Sequence, residues 1–458
     1  MKCHGKWWFP QYQNNEFTGI LSFTQRNGGK LEVKGIVSTN IYADKGLHST
    51  DDKIILGKTN KGKNITVHVS LLNWNVNPLS DSITLKFIVK SVFIGIHFEK
   101  FEDIKFDSIL IQYQNCDKWF TKPTLYQARI VDKKGKKYCY NDPIVIENEN
   151  GHGFKIQIFA ISKINYNNHK PIQNKKIYAN IITFDNKRPF KEYQNIYENI
   201  NDFFNFFSHE EIDISIIEGN CILDNGNCIN HIKIIYQQLD EKMNKIKTMI
   251  PYNIRYENIS DNFSNILFKW FKVKDEIRVI YDRFFGVMYN PHLYRSNMLQ
   301  MFTECIEYYH REFMEKKSMA KADKTLRSNR VMNDIKTLIK LGKEAKLSVF
   351  TEKSDLSWLK ERVNHKSPTL IERINETYQE YKNIIEVLAR IEEKEEFSKK
   401  IKYYRDDFSH AKSKYETIDN LDLFWKVEKL HLFVKLIFLT RLGFTNENIK
   451  RLFVPDNY

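Results

Sequence analysis

The stretch YYRDDFSHAK, residues 403–412, sets Arg405 and His410 five positions apart in a lysine-rich, helix-forming region. An imidazole titrates near neutrality and can take up or release a proton. A guanidinium stays charged and grips phosphate oxygens through a planar fork. Together they suit proton transfer beside a phosphate ester. With 16 Arg and 13 His in 458 residues, composition alone yields about 1.4 such pairs with four to six residues between them. One is found, so the surroundings must carry the argument. On an ideal helix five residues turn about 140° and rise about 7.5 Å. The two side chains then share a face only if the helix is broken or the long arginine reaches round. The Asp and Ser of RDDFSH suit an irregular helix start. The alternative is that Arg405 pairs with a nearby Glu while His410 caps or packs a bundle.

Other chemistries lack their residues. The chain has no GxxxxGK[ST] loop, no strand–GxGxxG–helix, no HExxH and no GxSxG, which removes P-loop hydrolysis, dinucleotide redox chemistry and zinc proteolysis. Cys3, Cys116, Cys139, Cys221, Cys228 and Cys305 form no CxxC pair, and the gap between Cys221 and Cys228 before His231 is not a zinc-knuckle spacing. No metal or other cofactor is expected, and the thiols read as idle in a reducing cytosol. The start MKCHGKWWFP lacks the apolar core of a signal peptide. LHLFVKLIFLTRLGF is interrupted by Lys435 and Arg441 and is too short to span a bilayer. It reads as a buried core helix, and a cytoplasmic protein without a membrane partner is expected. The formal charge of +14 favours anionic partners, nucleic acid first.

Two regions must position any site. Fourteen of the 17 glycines lie in residues 1–250, where KLEVKGIV, NITVHVSLL, SITLKFIVKSVFIGIHF, DSILIQYQ, FKIQIFAI and KKIYANIITF alternate as strands between turn signals. This predicts an antiparallel β sandwich or barrel-like domain over 1–250, with an amphipathic helix in YQNIYENINDFFNFFS. After Pro251 the period becomes helical, predicting an all-α bundle over 251–458. NMLQMFTECIEYYHREFM carries one apolar stripe, PTLIERINETYQEYKNIIEVL opens at Pro368, and a last helix runs from about Leu421 to a stop at Gly443. The fold class is therefore α+β in two domains. Residues 316–346 hold ten Lys/Arg against three Asp/Glu. They read either as a solvated inter-helix segment or as a phosphate-binding surface, with Lys324, Arg327 and Arg330 the candidate contacts.

IKYYRDDFSHAKSKY, between two long helices, resembles the HEPN superfamily, whose helical bundle carries an R-x(4–6)-H motif. Asp406 matches the polar residue common after the arginine, and RLGF matches the usual terminus of the last helix. ILFKWFKVKDEIRVIYDRFFGVMYN with MLQMFTECIEYYHREF is similar to the start of an ApeA-type HEPN domain. EFTGILSFTQRNGGKLEVKG and VFIGIHFEKFEDIKFDSILIQYQNCDKWF are similar to that family's N-terminal β domain.

This resemblance implies an antiphage abortive-infection endoribonuclease with an N-terminal sensor or regulator. It implies Arg405, His410 and Asp406 as site residues, and an acidic residue on the first core helix, which Glu307 fits. Glu307 and Arg311 also stand as an ordinary i,i+4 ion pair, and His310 beside them reads as structural or surface. Asp407 adds a second acid close to where a phosphate would sit. Metal-independent cleavage uses the substrate 2′-OH as nucleophile, so it needs a base, an acid and a cation on the phosphate. The implied partners are RNA, tRNA among the candidates, a phage-derived trigger at the N-terminal domain, and a second copy in a homodimer or an oligomer of dimers. A catalytically inactive HEPN scaffold for RNA binding or protein interaction is the other reading.

Overall fold

The computed structural model describes residues 1–24, 28–36, 51–77, 82–120, 128–131, 137–140, 144–147, 153–167, 170–208, 211–222, 229–236, 254–290, 292–345, 353–364, 367–388, 394–410 and 419–453. The chain divides into two compact units, Met1–Asn244 with Ile254–Phe268, and Lys245–Asn253 with Lys269–Tyr458.

The first unit is antiparallel β structure. Its strands are β1 (Lys2–Trp8), β2 (Phe17–Thr24), β3 (Gly28–Ile36), β4 (Asp52–Thr59), β5 (Asn64–Asn77), β6 (Ser82–Ile94), β7 (Lys105–Gln114), β8 (Ala128–Val131), β9 (Lys137–Tyr140), β10 (Ile144–Glu147), β11 (Phe154–Asn167), β12 (Lys170–Pro189), β13 (Asp213–Ile222) and β14 (Ile229–Tyr236). Strands β3-β2-β1-β4-β5-β6 run in that order, and β3 also pairs with β6. The six strands thus close into a barrel without free edges, which removes the unpaired backbone groups that recruit other chains. Strict alternation puts Trp7, Phe17, Leu21, Leu31, Val67 and Phe87 inside, all buried.

Strand β6 changes partner along its length. Ser82–Val89 pairs with β3, whereas Ser91–Ile94 pairs with β14. From there a second sheet runs β14-β13-β7-β12-β11, with β9-β8 beyond and β10 also on β11. Helix α1 (Phe190–Phe207) lies on it against β7 and β12. Its buried Tyr193, Ile196, Tyr197, Ile200, Phe203, Phe204 and Phe207 recur at three and four, the spacing of one helix face. Phe204 meets Tyr113 edge-on with centroids 5.2 Å apart. The sheet-and-helix core is finished by a later piece of chain, where the Trp119 indole donates to the Ile254 carbonyl at 2.7 Å.

The second unit is helical: α2 (Phe263–Glu276), whose first turn and a half, to Phe268, belongs to the first unit, α3 (Arg278–Met288), α4 (Arg295–Tyr309), α5 (Met319–Glu344), α6 (Lys353–Asn364), α7 (Leu370–Glu380), α8 (Lys382–Leu388), α9 (Lys394–His410), α10 (Asn420–Arg441) and α11 (Asn446–Phe453). Helix α10 is buried from Leu430 through Leu439, the core helix that its apolar sequence predicts. It packs against α4, where the His431 ring stacks between Phe284 and Phe302 at 5.2 and 5.4 Å. Among the described residues no helix is long and apolar enough to cross a membrane. Gly443, at φ +94°, ends the chain's last long helix in the conformation glycine adopts most readily.

Two details depart from the sequence expectation. Helix α7 begins at Leu370 rather than at Pro368 after Ser367, with Thr369 as its cap in a reciprocal box with Glu372. The apolar periodicity after it does not make one helix, because the chain turns at Tyr381 between α7 and α8. The Tyr381 side chain is fully buried there.

The barrel leaves no room at Gly57, where an added Cβ would meet the Trp7 ring at 2.3 Å. Gly57→Ala should therefore cost about 1–3 kcal/mol, read as a lowered urea midpoint of β-sheet circular dichroism.

Candidate active site

Glu307 stands in the last turn of α4, which runs directly into a π-helical turn, His310–Met314. A π turn accommodates one extra residue and rotates the preceding helix relative to the chain beyond it. Helix α9 packs against α4 and α7 and brings Arg405 to Glu307. One guanidinium nitrogen, Nη2, donates to Glu307 Oε2 at 3.4 Å, and Nη1 lies 4.0 Å from Asp406 Oδ1. The Arg405 side chain is 35% exposed and that of Glu307 25%, so the pair is open to a ligand yet shielded from full solvation. Glu307 thus serves Arg405 across the bundle rather than Arg311, which lies 3.7 Å from Glu312.

The motif is helical throughout. Helix α9 continues to His410 without a break, where an irregular start was expected. Lys402 binds Asp406 one turn on, and such i,i+4 pairs reinforce a helix. His410 therefore stands about 140° around the helix from Arg405, and shares a face with Asp406 and Asp407. The side chain of His410 lies outside what the structure describes.

Asp407 is not beside the solvent-facing guanidinium. It is 5% exposed on the core stripe of α9 with Phe397, Ile401 and Tyr404, and its Oδ2 has no hydrogen-bond partner among the described residues. Tyr404 donates to Asp422 Oδ2 at 2.5 Å, tying α9 to the first turn of α10. Burial, and then this bond to a carboxylate, push the Tyr404 phenol above its ordinary pKa.

Sequence reasoning read His310 as a structural or surface residue but missed Arg373 and Glu376, which hold the end of α4 in place. Arg373, buried on α7, donates from Nη1 to the Glu307 carbonyl at 3.1 Å and from Nε to the Pro368 carbonyl at 3.0 Å. His310 is fully buried, and its Nε2 meets Glu376 Oε2 at 2.5 Å. The other Glu376 oxygen accepts from Ser318 Oγ at 3.1 Å and from the Ala320 amide at 2.9 Å. The visible signal was Thr369-x-x-Glu372, which fixes the start of α7 and hence the phase of Arg373 and Glu376.

The basic tract is mostly helix α5. Lys324 is engaged: its Nζ binds Glu372 Oε2 at 2.6 Å and the Ser367 carbonyl at 3.0 Å. Arg327 and Arg330 are exposed, and neither has an ion-pair partner among the described residues. Lys324 and Arg327 line a pocket of about 410 Å³ with Glu372 and Glu376. No metal-binding cluster of His, Cys, Asp or Glu occurs among the described residues. Cys228 lies outside them, and the His231 imidazole is bonded to Asn220 Oδ1 at 2.8 Å.

An α-helical bundle with a paired arginine and carboxylate, and a histidine position farther along the arginine's helix, suits a HEPN-type module. The chain belongs to the ApeA family: the model of ApeA N-terminal domain 1 matches residues 2–270 and that of the Apea-like HEPN domain matches residues 301–448. No curated protein and no solved structure matches it. An ApeA-type HEPN domain implies a ribonuclease in antiphage defence, with RNA as the molecule it acts on.

The Glu376 carboxyl is held below the usual glutamate range: burial opposes this, but the Ala320 amide, His310 and Ser318 outweigh it. A depressed folded-state pKa contributes stability above the unfolded value, lost as pH falls through the folded one. Glu376→Gln should therefore lower the urea midpoint at pH 7 by the equivalent of about 1–2 kcal/mol. The difference from wild type should shrink below about pH 4.

Proposed function

We propose that the chain is an abortive-infection endoribonuclease in which Arg405 and His410 cleave RNA, tRNA among the candidate substrates, by metal-independent attack of the 2′-OH. The observation that carries this reading is the Arg405–Glu307 contact across the bundle. A guanidinium aligned by a carboxylate and left partly open is a pre-oriented phosphate clamp. In the reaction a histidine takes the 2′-OH proton as the 2′-oxygen attacks phosphorus. The P–O5′ bond breaks, a second acid protonates the departing 5′-oxygen, and the arginine stabilises the pentacoordinate phosphate. Asp406, 4.0 Å from Arg405 Nη1 and on the helix face of His410, orients the motif.

An unbroken helix bears on assembly. With Arg405 and His410 about 140° apart, one chain supplies half of a base, acid and cation set around one phosphate. A two-fold homodimer, or an assembly of such dimers, in which two motifs line one groove supplies the rest. Residues 1–250 are proposed to regulate in response to a phage-derived trigger, and residues 251–458 to carry the chemistry, in the bacterial cytoplasm. The same Arg405–Glu307 contact suits a second reading, an inactive HEPN scaffold, because a guanidinium held by two acids is already satisfied.

Cleavage assays separate the readings. Arg405→Ala and His410→Ala should each lower cleavage at least about 100-fold while leaving assembly unchanged by light scattering. EDTA should have no effect, and the ends should be 2′,3′-cyclic phosphate and 5′-hydroxyl. Robust cleavage by His410→Ala, or loss of activity with EDTA, would overturn the proposal.

The exposed arginines of α5 give an independent test. Arg327→Glu with Arg330→Glu should weaken RNA binding and reduce its salt slope by about 1–2. Unchanged affinity at low salt would make α5 a solvated helix.

A further inference from the structure

The first unit contains a cavity of about 880 Å³, at the place where β6 leaves the barrel for the second sheet. Its walls are set by the pairing. The β4–β5 turn is fastened to β1 by the bond from the Asn60 amide to the His4 carbonyl at 3.1 Å. On the other side Ile94 of β6 pairs with Ile65 of β5 and with Lys233 of β14. Alternation does the rest, because Lys2 and His4 fall on one face of β1, and His231 and Lys233 on one face of β14.

The result is a concentration of positive charge. Lys2, Lys61, Lys63 and Lys233 line the cavity, and Glu218 is the carboxylate among the lining residues. All four lysines are exposed, and none has an ion-pair partner among the described residues. Elsewhere on this barrel exposed lysines do find carboxylates, as Lys6 does with Glu16 and Lys90 with Asp52. Gathering four ammonium groups around one concavity is electrostatically unfavourable until an anion enters. The His231 Nδ1–H donates to Asn220 Oδ1, which leaves Nε2 available to a ligand. Ile94, half-buried, adds apolar surface to the lining, while Ile65 behind it is buried in the barrel core. A cavity of this size, lined mainly by cationic and polar groups, lies within the range of small-molecule sites, about 300–1,000 Å³.

We propose that this cavity is a ligand site for a nucleoside 5′-polyphosphate, either free or at the end of a short RNA. Ammonium groups bind phosphate as point charges. Four of them match a ligand carrying three or four negative charges better than a single carboxylate, and Ile94 offers apolar contact to the base or sugar. The site lies wholly in the β unit and needs nothing from Arg405 or His410. Its failure would leave the ribonuclease reading untouched, and failure of that reading would leave the site untouched.

The test is calorimetry on the full chain at about 150 mM salt with nucleoside triphosphates, a 5′-triphosphorylated tetraribonucleotide and the same tetranucleotide with a 5′-hydroxyl, and with inorganic phosphate as the reference. The proposal expects saturable binding of one or both polyphosphates and at least a tenfold weaker response to the 5′-hydroxyl form. Which polyphosphate binds identifies the source. Lys61→Glu with Lys233→Glu should weaken that binding at least tenfold. Lys30→Glu with Lys191→Glu, an equal change of charge at exposed positions elsewhere on the unit, should leave it within about twofold. Binding of the three nucleotide probes alike, no binding beyond that of inorganic phosphate, or equal losses in both double variants would overturn the assignment.

Discussion

The helical unit depends on one half-buried carboxylate. Glu376 projects from α7 and collects His310 from the π turn, together with the Ser318 hydroxyl and the Ala320 amide at the start of α5. These groups come from a stretch of chain that changes helical form twice within ten residues, and such a stretch has no intrinsic reason to take one path. A desolvated acid that needs several donors supplies the reason, because leaving any of them unmet costs more than a surface bond would. Arg373, one turn earlier on the same helix, completes the clamp by holding the Glu307 carbonyl. The end of α4 is thus fixed on both sides, and Arg405 meets Glu307 as a consequence.

The charges around Arg405 are arranged for restraint as well as for binding. A chain of net charge +14 attracts polyanions over its whole surface, but the guanidinium of the motif faces Glu307 and Asp406. An incoming phosphate must compete with both. Lys324 is likewise committed to Glu372, whereas Arg327 and Arg330 on α5 have no ion-pair partner among the described residues. Long-range attraction and local engagement therefore fall to different residues, so the two respond differently to salt.

Much of the architecture was legible from period alone. Alternation marked β3, β5, β6, β7, β11 and β12, a helical apolar stripe marked α1 and α4, and a nearly continuous apolar run marked α10. A strand face or a helix stripe is a local property that burial enforces. The partner exchange of β6 was not legible, because its alternation reads the same whether the neighbour is β3 or β14. At the site, Arg405 was visible as a type and a spacing, whereas Asp406 and Glu307 were implied by the family resemblance. Their meeting was not, since it depends on the phase that the π turn imposes after Tyr309. Arg373 and Glu376 escaped notice because charged residues on an amphipathic helix are usually solvated, and only the packing of α7 against α4 makes these two internal. Asp407 misled for the opposite reason, since it falls on the apolar stripe of α9 in an otherwise polar run.

The bond from Trp119 to the Ile254 carbonyl has a meaning in time. Synthesis is vectorial, and domains generally fold as they emerge, at about 5–20 residues per second. The barrel waits for β6 to meet β3, the second sheet waits for β14, and the aromatic core around Trp119 waits for the segment that begins at Ile254. Only then does most of the helical unit leave the ribosome. Arg405 follows Ile254 by 151 positions, which at those rates is about 8–30 seconds. The β unit can be finished before the last element of the motif exists, so on the ribonuclease reading the nascent chain acquires its regulator ahead of its active site.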